Sequence, residues 1–308
     1  MLEIIRPGVQ TTVQDLGRHG FRHLGIAQAG ALDQPALMLA NRLVNNPADA
    51  AGLEVVMGPV AIRFHRDGWL ALTGADFDAR LDDTPLWPGW RVPYLTGQTL
   101  HLAGPRLGMR AYLAVDGGID VPLVLGARAT DLRSNFGGFA GRALQAGDLL
   151  PQGQAIVHLN RCGAWTRPWS PVIRLLPGPE YHEFDDAVHH AFWQKEWKVS
   201  SQSDRMGYRL QGPPLHRSKP HELLSHGVLP GVVQVPPNGQ PIVLLADAQT
   251  TGGYPRIASV IEADLWKLAQ ARPGTRLHFV KTTLDDARQA MQQWQFERNR
   301  FEWSAYGR

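Results

Sequence analysis

Apolar runs of about five residues, each closed off by Gly, Pro or Asn, recur along the whole 308-residue chain. Runs that short suit a strand and are too short for a stable helix. Residues 53–57, 69–73, 110–115, 172–176, 232–235, 242–246 and 276–280 all fit the pattern. The 32 glycines and 23 prolines punctuate the chain so often that long helices are disfavoured. The chain is therefore expected to be mainly β. Asn238-Gly239 lies between the apolar residues Val235 and Ile242. It takes positive φ easily and is expected to close a hairpin through a type I′ turn.

Helices should be few and serve as covers. Asp33 can cap a helix over 33–45 that carries Leu37, Ala40, Leu43 and Val44 on one face. Residues 180–194 place Phe184, Val188, Ala191 and Phe192 at helical spacing, and 262–271 reads as a short helix stopped by Pro273-Gly274. Thr283 with Asp286 resembles a capping box that opens a terminal helix running to about residue 298. The length exceeds what one core usually serves. A Pro- and Trp-rich stretch near residue 165 marks the boundary, giving domains 1–165 and 166–308. Gln10-Thr11-Thr12 returns as Gln249-Thr250-Thr251, a weak echo that would suit two similar halves.

Several chemistries are excluded by what is missing. There is no G-x-x-x-x-G-K-[ST] phosphate loop and no G-x-S-x-G elbow. His189 and His190 are adjacent, so on a helix they diverge by roughly 100° and cannot share a metal. With the single cysteine Cys162 neither a disulfide nor a thiolate metal site can form, and no metal is expected. A formal charge of +3, without a block of Lys and Arg, argues against nucleic acid. No apolar run is long enough to cross a membrane, and the start of the chain reads as a strand, so a cytoplasmic, membrane-free location is expected.

Polar groups beyond the needs of packing gather in three places. Thr11-Thr12-Val13-Gln14-Asp15-Leu16-Gly17-Arg18, followed by Gln28-Ala29-Gly30-Ala31-Leu32-Asp33, offers a carboxylate and a guanidinium with amide and hydroxyl groups alongside. Asp247-Ala248-Gln249-Thr250-Thr251-Gly252-Gly253-Tyr254-Pro255 follows an apolar strand, so Asp247 should sit at a strand end. Its two glycines allow backbone N–H groups close to a ligand. In Ser203-Asp204-Arg205-Met206-Gly207-Tyr208 an Asp can hold the following Arg for a carboxylate or phosphate.

These segments resemble one family closely. Ala40-Asn41, Leu53-Glu54, Gly58-Pro59, Gly117-Gly118-Ile119, Ala129-Thr130-Asp131 and Gly147-Asp148 extend the likeness in order to about residue 285. The family is the biotin-dependent-carboxyltransferase-like, or allophanate-hydrolase-subunit-2, group. It includes the C-type subunit of 5-oxoprolinase and the sporulation regulator KipA. One departure is Gln28-Ala29-Gly30-Ala31, where Ser-Gly-Ala is expected; Gln28 would replace a hydroxyl there.

The resemblance implies two cyclophilin-like β-barrel units with a few covering helices. It also implies direct partnership with a homologue of the B-type subunit of 5-oxoprolinase. Together with a homologue of the A-type subunit, the assembly would carry out ATP-dependent hydrolysis of 5-oxo-L-proline to L-glutamate. ATP is expected on, or shared with, the partner subunits. No biotin is expected on this chain, which lacks a Met-Lys acceptor pair. An unactivated lactam needs its carbonyl oxygen phosphorylated before water can open the ring. Such chemistry requires a base, oxyanion donors and a cation for anionic groups. Asp247 or Asp15 is assigned as the base. Gln28, Gln249, Thr250, Thr251, Gly252, Gly253 and Tyr254 are assigned to the substrate, with Arg205 and Arg18 as anion clamps. The alternatives are carboxyl transfer from carboxybiotin to urea, and a regulatory role antagonising a kinase inhibitor. The length, without a fused carboxylase region, suits the oxoprolinase role better.

Overall fold

Alternation of side chains builds the strands. In Gly68–Leu81, Ala75, Phe77, Ala79 and Leu81 are buried, whereas Asp76, Asp78 and Arg80 face outward, the period of two of a strand covered on one face. The same alternation recurs in Glu196–Val199 and Arg276–Lys281. The computed structural model describes residues 1–154, 159–218 and 222–306. It divides into two units, one built chiefly from Met1–His19 and Ala29–Pro168, the other from Gly20–Gln28 and Trp169–Arg300.

The first unit carries a ten-stranded sheet. Its spine is the long ribbon of Gly68–Leu81 against Thr99–Val115. Val60–Phe64 pairs with one end of Thr99–Val115, and Gly52–Val56 pairs with the other. The sheet thus branches, one arm passing to Leu2–Arg6 and the other to Gln10–Gln14. Leu2, Ile4, Leu53, Val55, Ile62, Phe64, Phe77, Leu100 and Leu113 form its buried centre. The helix Gln34–Leu43 begins where the sequence places it. The Asp33 carboxylate accepts the Ala36 N–H at 3.0 Å, and Pro35 occupies the first turn, where its missing N–H costs nothing.

The second unit is a closed seven-stranded barrel. Its strands in spatial order are Val172–Pro177, Arg256–Val260, Val232–Gln234, Ile242–Leu244, Gly207–Gln211, Glu196–Val199 and Arg276–Lys281; the last pairs in parallel with the first. Closure leaves no unpaired edge. Ile173, Leu175, Trp197, Val199, Leu210, Val233, Val243, Leu277 and Phe279 are buried. Phe192, from the helix Asp186–Gln194, lies 5.2 Å from Phe279 between ring centroids. The protein is mainly β, and no described helix is long and apolar enough to cross a membrane.

Three local expectations need correction. The Asn238-Gly239 hairpin exists, with Val233 opposite Val243 and Gln234 opposite Ile242. Its turn is not type I′, because of that pair only Gly239 has positive φ, and its N–H donates to Pro236 O at 2.9 Å. Pro236, Pro237 and Pro241 lack the N–H groups a tight ladder requires, so the connection is wider. The helix expected over 180–194 is split into a 3-10 turn, Tyr181–Glu183, and the helix Asp186–Gln194 capped by Asp185. The terminal helix, Leu284–Tyr306, runs beyond residue 298, and its capping box forms through Thr283 Oγ1 and the Asp286 N–H at 3.2 Å.

One ion pair built on a buried carboxylate gives the barrel an acid-sensitive clasp. Asp264 accepts from the Arg174 N–H (2.9 Å), Nε (3.0 Å) and Nη2 (2.7 Å), and from Lys267 Nζ at 3.1 Å. Burial pushes its carboxyl up, but the Arg174 hydrogen bonds and Lys267 outweigh that and hold it below the ordinary carboxylate value. A depressed carboxylate contributes stability above its unfolded value, near pH 4, that is lost as pH falls through the folded one. Urea midpoints measured from pH 6 down to pH 2 should therefore fall less steeply for Asp264→Asn than for the wild type. Parallel curves would remove Asp264 from the acid response.

Candidate functional site

Within the first unit, the 11–18 segment is a strand followed by a turn. Thr11, Thr12 and Gln14 are buried in Gln10–Gln14, and Thr130 closes over them by donating Oγ1 to Val13 O at 2.9 Å. Asp15 uses both oxygens on backbone, one on the Gly17 N–H at 2.8 Å and the other on the Arg128 N–H. Arg18 is buried. Its Nε donates to Val124 O at 3.2 Å, its Nη2 to Ala129 O, and its guanidinium sits 4.4 Å from the Phe136 ring centre. Asp15 and Arg18 thus pin the loop around residues 124–130, one by accepting from its backbone and the other by donating to it. Gly30 completes the turn. A Cβ there would lie 2.7 Å from Gly17 N, and its φ of +87° suits glycine.

Within the second unit, Arg205 and Asp247 meet. Arg205 Nε and Nη2 each reach a different Asp247 oxygen at 2.9 Å, and the Asp247 N–H donates to Arg205 O at 3.0 Å. Both residues are buried, 4% and 3% exposed, so the fork is desolvated and well directed. The sequence expects Asp204 to hold Arg205. Instead Asp204 Oδ1 accepts the Met206 and Gly207 N–H groups at 2.8 and 3.2 Å, and Asp247, 42 residues on, takes the guanidinium. Asp247 does stand just past the strand Ile242–Leu244, as its position suggests.

From Asp247 the chain runs into the 249–254 loop. Gln249 Nε2 lies 3.4 Å from Gln234 Oε1, and Gln234 Nε2 lies 3.4 Å from Tyr254 O. Thr251–Gly252 pairs with His226–Gly227, and the Val228 N–H extends that ladder to Thr250 O at 3.0 Å. Thr251 is exposed, and Tyr254 is 46% exposed. The glycines have a reason the sequence does not reveal. A Cβ on Gly252 would lie 2.8 Å from Gln234 Nε2, and one on Gly253 would lie 3.0 Å from Leu223 O. The close neighbour in each case is the protein itself. Gln28 is half-buried and belongs with this unit.

Sequence reasoning missed three contributors. Gln234 is a buried amide in an apolar strand, and its polarity inside Val232–Gln234 was a usable signal. Arg22 donates Nη2 to Val228 O at 2.5 Å and to Gln249 O at 3.3 Å, over more than 200 residues of sequence, with no local signature. His226, opposite Gly252, lies in a stretch without periodicity.

Comparison with known proteins identifies the family. Residues 24–281 match the family model described as carboxyltransferase domain, subdomain A and B. The C-type subunit of 5-oxoprolinase from Escherichia coli is 57% identical over 296 residues, covering 96% of each chain. The protein of the same name from Haemophilus influenzae is 44% identical over 93% of each. The solved urea carboxylase of Kluyveromyces lactis superposes with a TM-score of 0.89 at 28% identity, covering 96% of this chain but 28% of that longer one.

Proposed function

The chain belongs to the carboxyltransferase family of subdomains A and B, and from that premise we propose that it serves as one component of an ATP-dependent 5-oxoprolinase. The observation that carries this reading is the 57% identity to the E. coli C-type subunit over nearly the full length of both chains. The substrate would be 5-oxo-L-proline and the product L-glutamate. The work is shared with homologues of the A-type and B-type subunits, the latter in direct contact.

The lactam carbonyl is a poor electrophile, and ATP would supply the phosphoryl group that activates it. This chain has no phosphate-loop motif, so ATP is assigned to the partners or to a site shared with them. What the second unit supplies is a rigid polar edge. The hydroxyls of Thr250 and Thr251, the amide of Gln249 and the N–H group of Gly253 are donors of the type that stabilises a developing oxyanion, with Gly252 holding the loop in the ladder. Asp247, held by Arg205, lies directly before this loop in sequence and fixes its start. Asp247 is the proposed proton acceptor in this unit, and Tyr254 flanks the loop as a partly exposed wall. Asp15 and Arg18 are proposed to hold the 124–130 loop of the first unit in register.

The test is ATP-dependent release of glutamate from 5-oxoproline by the purified A-type and B-type partners, with and without this chain. Activity only in its presence supports the reading. A complex that forms yet gains no activity would overturn it. The likeness to the K. lactis urea carboxylase favours a second reading, carboxyl transfer from carboxybiotin. That reading requires turnover to depend on bicarbonate and a biotinylated partner, which the same assay can test by omission.

A further inference from the structure

Among the described residues of the second unit, two side-chain nitrogens are buried with no hydrogen-bond partner, Nη1 of Arg22 and Nε2 of His226. His226 lies on a short ribbon that Arg22 borders. His226 stands opposite Gly252, and the ladder continues from Val228 N to Thr250 O. Arg22 caps its end, with Nη2 on the carbonyls of Val228 and Gln249. His226 precedes Val228 by two residues, a step of about 7 Å along an extended chain. A carboxylate offers two oxygens, and the unpartnered Arg22 Nη1 can donate to one of them.

The charge balance at Arg22 points the same way. Its hydrogen-bond acceptors are the neutral carbonyls of Val228 and Gln249, and burial pushes its guanidinium below the usual value, with no carboxylate to restore it. Other arginines of this barrel are matched: Arg205 by Asp247, Arg174 by Asp264 and Arg256 by Glu180. Leaving a desolvated guanidinium N–H without an acceptor is costly, and an anion supplied from outside removes the cost. At His226, Nδ1 lies 3.1 Å from Leu224 O, which makes Nδ1 the donor there. Nε2 donates to an anion only when it too carries a proton.

We propose that Arg22, assisted by His226, is the carboxylate clamp of the substrate site. It holds the carboxylate of the cyclic amide acid and so presents the lactam to the neighbouring 249–254 loop. This rests on the oxoprolinase reading above. A phosphate group of ATP offers the same anionic oxygens, so the experiment has an arm for each.

In the reconstituted three-component complex, Arg22→Gln should raise KM for 5-oxoproline about tenfold or more, the loss of a charge-assisted contact, with Arg22→Lys recovering part of it. KM for ATP should not change. Inhibition by cyclopentanecarboxylate, which keeps the carboxylate, should weaken in parallel, while inhibition by pyrrolidin-2-one, which lacks it, should hold. His226→Gln should shift the same quantities in the same direction and stands in if the Arg22 variant fails to assemble. An unchanged KM for 5-oxoproline overturns the clamp. A rise confined to ATP gives the site to phosphate and also overturns it. Equal loss of both inhibitors reduces Arg22 to a strap for the ribbon. A wild-type complex that releases no glutamate overturns the functional reading itself, a separate failure visible before any variant is made.

Discussion

Asp247→Ala is expected to destabilise the barrel by about 3–5 kcal/mol, the range for removing one partner of a buried ion pair. The reason is desolvation. Arg205 is 4% exposed and sends Nε and Nη2 to the two Asp247 oxygens, both at 2.9 Å. Removing the carboxylate leaves the guanidinium away from water and without this countercharge. The pair's net worth is a different quantity from the cost of breaking it. Replacing both residues together, Arg205→Met with Asp247→Leu, should therefore recover most of the stability while abolishing any catalytic use of the carboxylate. Urea unfolding followed by tryptophan fluorescence, with Trp197 buried in the barrel, reads all three proteins. A single-variant loss below about 0.5 kcal/mol, the level of an ordinary surface change, would show that the pair does not hold the barrel. Asp247→Asn adds the functional reading. A general base contributes about 100-fold or more, so kcat of the assembled complex should drop by at least that factor. Retained turnover would leave Asp247 only its structural task.

The strands that sequence reasoning found are those whose pattern is local. Each of the seven apolar runs falls on a strand, and Asp33 caps its helix, because alternation and capping act over a few residues. The length of the central ribbon was not legible. Gly74, Gly104, Pro105 and Gly108 read as breaks, yet they lie inside Gly68–Leu81 and Thr99–Val115. There the register shifts between Gly74 and Asp76, and again to Ala79, absorbing the interruption. The echo of Gln10-Thr11-Thr12 in Gln249-Thr250-Thr251 has no structural counterpart. The first lies within a buried strand, the second at the entrance to a two-residue one. The candidate site residues were legible as polar clusters, but their structural partners were not. Arg205 finds Asp247 through the closed barrel and Arg22 finds Val228 beside the separate two-stranded ribbon, and no spacing in the chain encodes those meetings.

Glu54→Ala should have an effect of similar size in the first unit, about 3–5 kcal/mol, because a carboxylate at the centre of an otherwise apolar strand must be held on several sides. All five residues of Gly52–Val56 are buried, and Glu54 is 1% exposed. One oxygen accepts the Leu32 N–H at 3.0 Å and the Tyr112 hydroxyl at 2.7 Å, and the other lies 3.6 Å from Arg110 Nε. Tyr112, directly opposite in the ladder, accepts the Asp33 N–H at 2.8 Å. Burial, and then the Glu54 and Asp33 carboxylates, push its phenol well above the ordinary tyrosine value, so it stays a donor. Glu54 thereby fixes the two residues that open the Gln34–Leu43 helix. The N–H of Ala31, one residue earlier, reaches Asp15 O at 2.9 Å, so the carboxylate also supports the Asp15 turn. Tyr112→Phe keeps the ring and removes one hydroxyl, so it should cost less, about 1–3 kcal/mol. Hydrogen exchange supplies the check that separates this network from general packing. In both variants the amides of Leu32 and Asp33 should exchange faster than those of Leu53 and Val55 on the same core. Uniform acceleration across the unit would mean that the carboxylate stabilises the sheet as a whole and does not hold the helix entry.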